Sequence, residues 1–116
     1  MKRSFRLARS TDFKRVRRYG KSYAHPLMVL VALPLPGEGV RVGVVASRSV
    51  GGAVERNRAK RLLREAIRPL LTRIQPGWHV LIISRQLLLS QPLLEIEKVL
   101  ERLMHTAGLL RSSDGD

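Results

Sequence analysis

The chain has 116 residues and is most simply one domain, long enough to bury a core without staples. It has no cysteine, which excludes a disulfide scaffold, a cysteine nucleophile and a thiolate metal site, and suits a reducing compartment. The formal net charge is +13, and it is unevenly placed: residues 1–25 hold nine Lys/Arg against one acid, and residues 41–73 hold nine against two. The segments between and after these blocks are nearly neutral, whereas charge that serves solubility alone is spread over a surface.

A hydrophobic fraction of 44% excludes wholesale disorder. Met1–Ser10 is cationic but lacks the apolar stretch of a signal peptide. The longest uncharged run, Ser22 to Gly37, is broken by Pro26, Pro34 and Pro36 and is too short to cross a bilayer. The expectation is a cytoplasmic protein with no membrane partner. It would be a single domain over 1–116, with about 1–6 and 111–116 flexible.

Ser10-Thr11-Asp12 predicts a helix start, with a hydroxyl cap and an acid in the first turn. That helix runs to about Tyr19 and stops at Gly20. Lys21–His25 is a short strand candidate, and Leu27–Leu33 is a continuous apolar run of strand length. Pro34–Gly39 supplies turn residues. Arg41–Ser47 is valine-rich and reads as another strand, so the two runs around one Pro/Gly loop predict an antiparallel pair. Ser49–Val54 leads into a basic helix that ends near Pro69–Thr72. Trp78–Ser84 is a buried-strand candidate after the Pro76-Gly77 turn. Pro92–Leu110 carries Leu93, Ile96, Leu100, Leu103 and Ala107 at helical spacing. This order indicates an α+β sandwich with helices against a small sheet.

The basic helix is the most informative segment. Asn57, Arg61, Arg64 and Arg68 fall within about 60° of one another on its surface, flanked by Lys60 and Arg58. Ala59, Leu62, Leu63, Ala66 and Leu70 occupy the opposite side, so one face enters a core while the other is cationic. Only Glu55 and Glu65 oppose seven cations between Arg56 and Arg73. Like charges one turn apart, such as Lys60/Arg64 and Arg64/Arg68, repel unless a partner neutralises them. Nucleic acid is the first candidate; a membrane surface or an acidic protein would serve the same charge. Arginine outnumbers lysine seventeen to five, which suits phosphate gripped bidentately and bases stacked on guanidinium planes.

Around that helix the alternatives are plainer. Gly51-Gly52 reads as a tight strand-to-helix turn before it reads as a phosphate loop. Phe13 is either core or a stacking platform for an unpaired base, and Tyr19 and Tyr23 are open in the same way. His25, His79 and His105 stand alone without metal-ligand spacing, and Glu95, Glu97 and Glu101 look like a solvated face. No serine or lysine motif for nucleophilic catalysis is present. The composition describes a binder: a structural ribosomal or ribosome-assembly protein would use it equally, and a self-sufficient protein nuclease would not.

The run Ala53-Val54-Glu55-Arg56-Asn57-Arg58-Ala59-Lys60-Arg61-Leu62-Leu63-Arg64-Glu65 resembles the signature of the bacterial ribonuclease P protein family. Ser47-Arg48-Ser49-Val50-Gly51-Gly52 before it is similar to that family's approach to the helix. Leu7, Asp12-Phe13, Val16 and Gly20 resemble its first helix. The resemblance covers roughly Leu7 to Ser84.

It implies an αβββαβα two-layer sandwich, like a ribosomal-protein domain, with a left-handed βαβ crossover through the basic helix. The general rule for crossovers is the other hand. It implies the protein subunit of a ribonucleoprotein endoribonuclease, a hydrolase that removes the 5′ leader from precursor tRNA. The chemistry would belong to the catalytic RNA and Mg2+ bound mainly through it, with no catalytic residue in the protein. By position, Arg48, Arg56, Asn57, Arg58, Lys60, Arg61 and Arg64 would contact the RNA subunit, and Arg68 extends that set by helix geometry. Phe13, Lys14, Arg17 and Val31 would line the leader site. Arg17 and Val31 stand where the family often has aromatics, and Ser49 where it often has lysine.

Overall fold

The structure, a computed structural model, describes residues 5–111. Helix α1 (Ser10–Tyr19) is followed by strands β1 (Lys21–Ala24), β2 (Met28–Pro34) and β3 (Arg41–Ala46). Then come α2 (Ala53–Ile67), β4 (Trp78–Ser84) and α3 (Leu93–Thr106), which is the αβββαβα order expected. Short 3-10 turns sit at Arg48–Val50, Arg68–Arg73 and Gln86–Ser90.

The strands form one sheet in the order β1-β2-β4-β3. This corrects the expected antiparallel pairing of β2 with β3, because β4 lies between them. It pairs antiparallel with β2 and parallel with β3. The Pro/Gly loop closes no hairpin; Leu35 N–H instead donates to the Gly77 carbonyl at 2.7 Å, and Gly77 N–H donates to that of Glu38 at 2.8 Å. The loop is thus tied to the turn that launches β4.

Both faces of the sheet are covered, which is why its strands read as unbroken apolar runs. Met28, Leu30, Ala32, Val42, Val44, Val80 and Ile82 point into the main core with α2 and α3. Their neighbours Val31 and Leu81 point the other way and pack with Leu7 and Val16 under α1. The sheet with α2 and α3 makes the two layers, and α1 lies across part of the far face. Val29, Leu33, Val45 and Ile83 on that face are only partly buried.

Helix ends show where local chemistry and sequence signals part. The residue preceding α1 is Arg9, and no side chain caps that end. Gly20 follows α1 with φ −75°, so its backbone needs no glycine. Its neighbours do: a Cβ there would lie 2.6 Å from the Val16 carbonyl oxygen and 2.8 Å from Val31 Cγ1. Helix α3 stops at Thr106, short of the expected Leu110, because Gly108 turns left-handed at φ 76°. Gly108 N–H then donates to His105 and Leu109 N–H to Met104, which satisfies the last carbonyls and buries Leu109 beside Met104.

The chain ends are pinned where they are described. Arg6 bridges Val42, Leu7 N–H donates to the Val42 carbonyl at 2.9 Å, and Arg111 N–H donates to that of Arg73 at 2.7 Å. The remainder of the two ends expected to be flexible, 1–4 and 112–116, lies outside the described residues. None of the described helices is long and apolar enough to cross a membrane.

Replacing Gly20 by alanine should lower stability by about 1–3 kcal/mol, because backbone and a buried valine must both move. Gly39→Ala, with nothing within 4 Å, is the control and should change little. Urea midpoints at constant m-value measure both.

Candidate nucleic-acid interface

Helix α2 is held by apolar contacts on one side only. Ala59, Leu63, Ala66 and Ile67 are buried against the main core. Leu62, expected with them, is only half buried. At the N-terminus the Glu55 carboxylate accepts the Gly52 N–H at 2.8 Å. This is half of a capping box, since glycine has no side chain to return the bond. Gly51, at φ 138°, makes the tight turn before it. The glycine pair therefore builds a helix entry whose Gly52 amide is already occupied by a carboxylate, in line with the turn reading.

The cations of α2 fall on two further faces. Arg56, Asn57, Lys60 and Arg64 line the recesses beside β3, while Arg58, Arg61 and, just past the helix end, Arg68 are exposed outside them. The first group overlooks β3. Arg56, Asn57 and Lys60 line a recess of ≈ 360 Å³ together with Phe13, Val45 and Ala46. Arg64 lines the adjoining recess of ≈ 260 Å³ with Phe13, Val42, Gly43 and Arg6. Phe13 and Val44 belong to both, so the two make one groove along the β3 edge.

Phe13 reaches the groove from α1 on the other side of the sheet. Its ring lies over Gly43, where a Cβ would come within 2.7 Å of it. A half-buried aromatic ring and four polar or cationic side chains thus meet across an edge strand. The backbone adds to this. Leu7 bonds the outer edge at Val42, so by strand alternation Val44 and Ala46 also turn their N–H and C=O groups outward.

The groove is electrostatically unbalanced. Among the described residues no cation within α2 is in an ion pair; Arg68, just past its end, lies 3.0 Å from Glu65 and is exposed. The Nε of Arg64 is buried without a hydrogen-bond partner. Asp12 pairs with Arg15 at 3.6 Å and Glu101 with Arg73 at 2.6 Å, so these acids are spent elsewhere. No group of three or more His, Asp or Glu that could hold a metal ion is found among the described residues.

The sequence-predicted residues are not all in one place. Arg48 is exposed on its 3-10 turn, and Arg58 and Arg61 are exposed on the outer face of α2. Lys14 and Arg17 are exposed on α1, with Arg17 one turn beyond Phe13. Val31 is a correction: it is 2% exposed beneath α1 and is not available to a leader. Tyr19 is exposed, and Trp78 packs against the main core. The residues missed by sequence reasoning are Arg6, Arg15, Arg41 and His79. The arginines belong to the basic blocks, but their convergence depends on the register that sets Arg41 opposite His79.

His79 is 4% exposed, with Nε2 3.3 Å from Glu38 Oε1 and neither ring nitrogen hydrogen-bonded. Burial lowers its pKa below the ordinary value of 6.5; Glu38 and Asp12 pull it up, and Arg15 and Arg41 push it down. His25, by contrast, accepts the Leu27 N–H at 3.1 Å through Nδ1.

The fold and the groove define a basic α+β domain that can hold nucleic acid against a sheet edge. A ribonuclease P family model matches residues 1–108. The chain belongs to the ribonuclease P protein family, the protein subunit of the endoribonuclease of tRNA processing. The ribonuclease P protein component of Herpetosiphon aurantiacus is 43% identical over 109 residues, covering 94% of this chain and 89% of that one. That of Symbiobacterium thermophilum is 41% identical over 112 residues, covering 96% and 97%. The solved RNase P protein of Staphylococcus aureus superposes with a TM-score of 0.80 at 27% identity, over 92% of this chain and 98% of that one. The one from Thermotoga maritima gives 0.73 at 26%, over 86% and 96%.

The His79 shift carries a sign. The unfolded chain takes up a proton near pH 6.5, and the folded chain resists it until lower pH. Acidification through that window therefore favours unfolding. The loss of stability between pH 7 and pH 5.5 should be smaller in His79→Gln than in the wild type. Urea titrations at the two pH values decide it, and equal losses would reject the burial argument.

Proposed function

We propose that the groove along β3 holds the single-stranded 5′ leader of precursor tRNA, while the outer face of α2 docks on the catalytic RNA. The observation that carries this is the meeting of Phe13 with Arg56, Asn57, Lys60 and Arg64 at one open strand edge. An unpaired strand offers what these groups need: base faces for the ring and phosphates for the cations. The outward Arg58, Arg61 and Arg68, with Arg48 beyond the helix, suit a broad structured RNA surface. The basic helix thus serves both RNAs, one on each of its two cationic faces.

Cleavage belongs to the RNA subunit in this reading. Asp12, Glu55, Glu65 and Glu101 are each engaged by a cation or a backbone amide, and no group of three or more possible ligands gathers among the described residues, which fits Mg2+ poorly. The metal is assigned to the RNA. The protein's part is to neutralise phosphate charge and to fix the leader, acting in the cytoplasm.

The direct experiment mixes the purified protein with a bacterial ribonuclease P RNA at low magnesium. Cleavage of precursor tRNA should rise, and failure to rise would sink the proposal. Copurification with ribosomal RNA in place of one small catalytic RNA would favour a ribosome-assembly role. Phe13→Ala should weaken binding of substrates with a long leader by about fivefold or more, from one lost stacking contact worth about 1–3 kcal/mol. It should leave leaderless substrate unchanged. Arg58→Ala/Arg61→Ala should instead weaken assembly with the RNA subunit. If both variants move both assays equally, the two-face division is wrong. With about six phosphates contacted, affinity should fall around a thousandfold between 50 and 200 mM salt.

A further inference from the structure

The groove does not end at Arg64. Arg6, Leu7 and Ala8 line its last recess on one side and a further recess of ≈ 490 Å³ on the other. That second recess lies on the α1 face of the sheet, at the ends of β3 and β4. Its cations are Arg6, Arg9, Arg15 and Arg41. Two carboxylates also face it, Asp12 from α1 and Glu38 from the loop before β3. At its floor is His79, set beside Arg41 by the strand register.

Two features separate this recess from an ordinary patch of surface arginines. The His79 ring is buried, yet neither nitrogen has a hydrogen-bond partner, and the Glu38 oxygen at 3.3 Å is misaligned for one. The Nε of Arg15 is likewise buried and unpartnered. Buried donors are normally satisfied, so a cluster of orphans marks a place for a missing acceptor. Water could accept from the ring, but it would not offset four guanidinium charges against two carboxylates. A phosphate group does both, because its oxygens are acceptors only and it carries charge.

We propose that this recess binds a phosphate of an RNA strand that continues out of the groove past Arg6–Ala8. It rests on the reading of the groove as an RNA site. His79 and Arg15 Nε supply the directed donors, and Arg6, Arg9 and Arg41 the surrounding field. The volume exceeds one phosphate, which leaves room for the attached ribose, whose hydroxyls can donate to Asp12 or Glu38. The strand would then be gripped at two points, at Phe13 by its bases and at His79 by its backbone.

The test follows the His79 ring by NMR in the full chain, assigned with His79→Gln. The probes are inorganic phosphate and single-stranded RNA oligonucleotides of increasing length. Oligonucleotides that only fill the groove should leave the ring unmoved, and longer ones should shift it. Arg15→Gln and His79→Gln should each weaken the longer oligonucleotides about fivefold or more, and lower the slope of log affinity against log salt by about one for Arg15→Gln. A ring that responds to inorganic phosphate but to no RNA would overturn the RNA source. A ring that responds to neither, or unchanged affinity in both variants, would overturn the pocket. The wild-type reconstitution assay reports separately: activated cleavage with a silent His79 leaves the groove reading standing and removes this one.

Discussion

The parallel pairing of β3 with β4 governs where everything else lies. Parallel neighbours cannot be joined by a hairpin, so the chain must leave the sheet after β3 and return beside it. It does so through α2, which carries five Lys/Arg against two acids. The crossover seats the apolar side of α2 on the main core. Its next face is thereby suspended over β3, and β3 is left at the rim of the sheet. Helix α1 approaches that rim from the opposite face and delivers Phe13 to it. A groove with an aromatic wall and a cationic wall follows from the strand order and needs no dedicated loop.

Magnitudes explain how such a helix stays folded without a partner. Like charges spaced one turn apart each cost roughly 0.2–0.5 kcal/mol at an exposed helix face. Burying Leu63 or Ile67 contributes about 1.5–3 kcal/mol each, and Ala59 and Ala66 are fully covered as well. Packing outweighs repulsion severalfold. Apolar packing therefore fixes one side of α2 on the core while its cations stay on the others.

The sequence carried some of this plainly and hid the rest for identifiable reasons. The period of apolar residues in α2 was legible because the helix has one buried side. The strands were legible as strands, but not their neighbours. Residues such as Val29 to Leu33 meet apolar partners on both faces, so no alternation reveals which side faces what. Loop composition suggested a β2–β3 hairpin, yet the loop's hydrogen bonds go to the turn at Gly77. The glycine-capped end of α3 was missed because Ala107 and Leu110 continue the helical spacing past Gly108. Phe13, Arg56, Asn57, Lys60 and Arg64 were each visible as candidates. Their shared groove was not, because it exists only once β3 is known to be an edge. Val31 was misjudged for a related reason: its place in the family motif says nothing of α1 lying on top of it. His79 gave no signal, since a lone histidine in an apolar strand becomes notable only when Arg41 and Arg15 are seen around it.

The outward backbone of Val44 and Ala46 has a consequence for how the protein behaves among its own copies. A bare strand rim is a template on which another chain can add a strand, the usual route to aggregation. Here that rim is ringed by Arg56, Lys60 and Arg64 on a molecule of net charge +13. A second copy approaching it brings the same charge and is repelled before backbone groups can pair. The cations assigned to RNA in the proposed reading therefore also oppose self-association of the free protein. Salt or a polyanion that screens these cations weakens that protection, and on the proposed reading of the groove the polyanion would itself cover the rim.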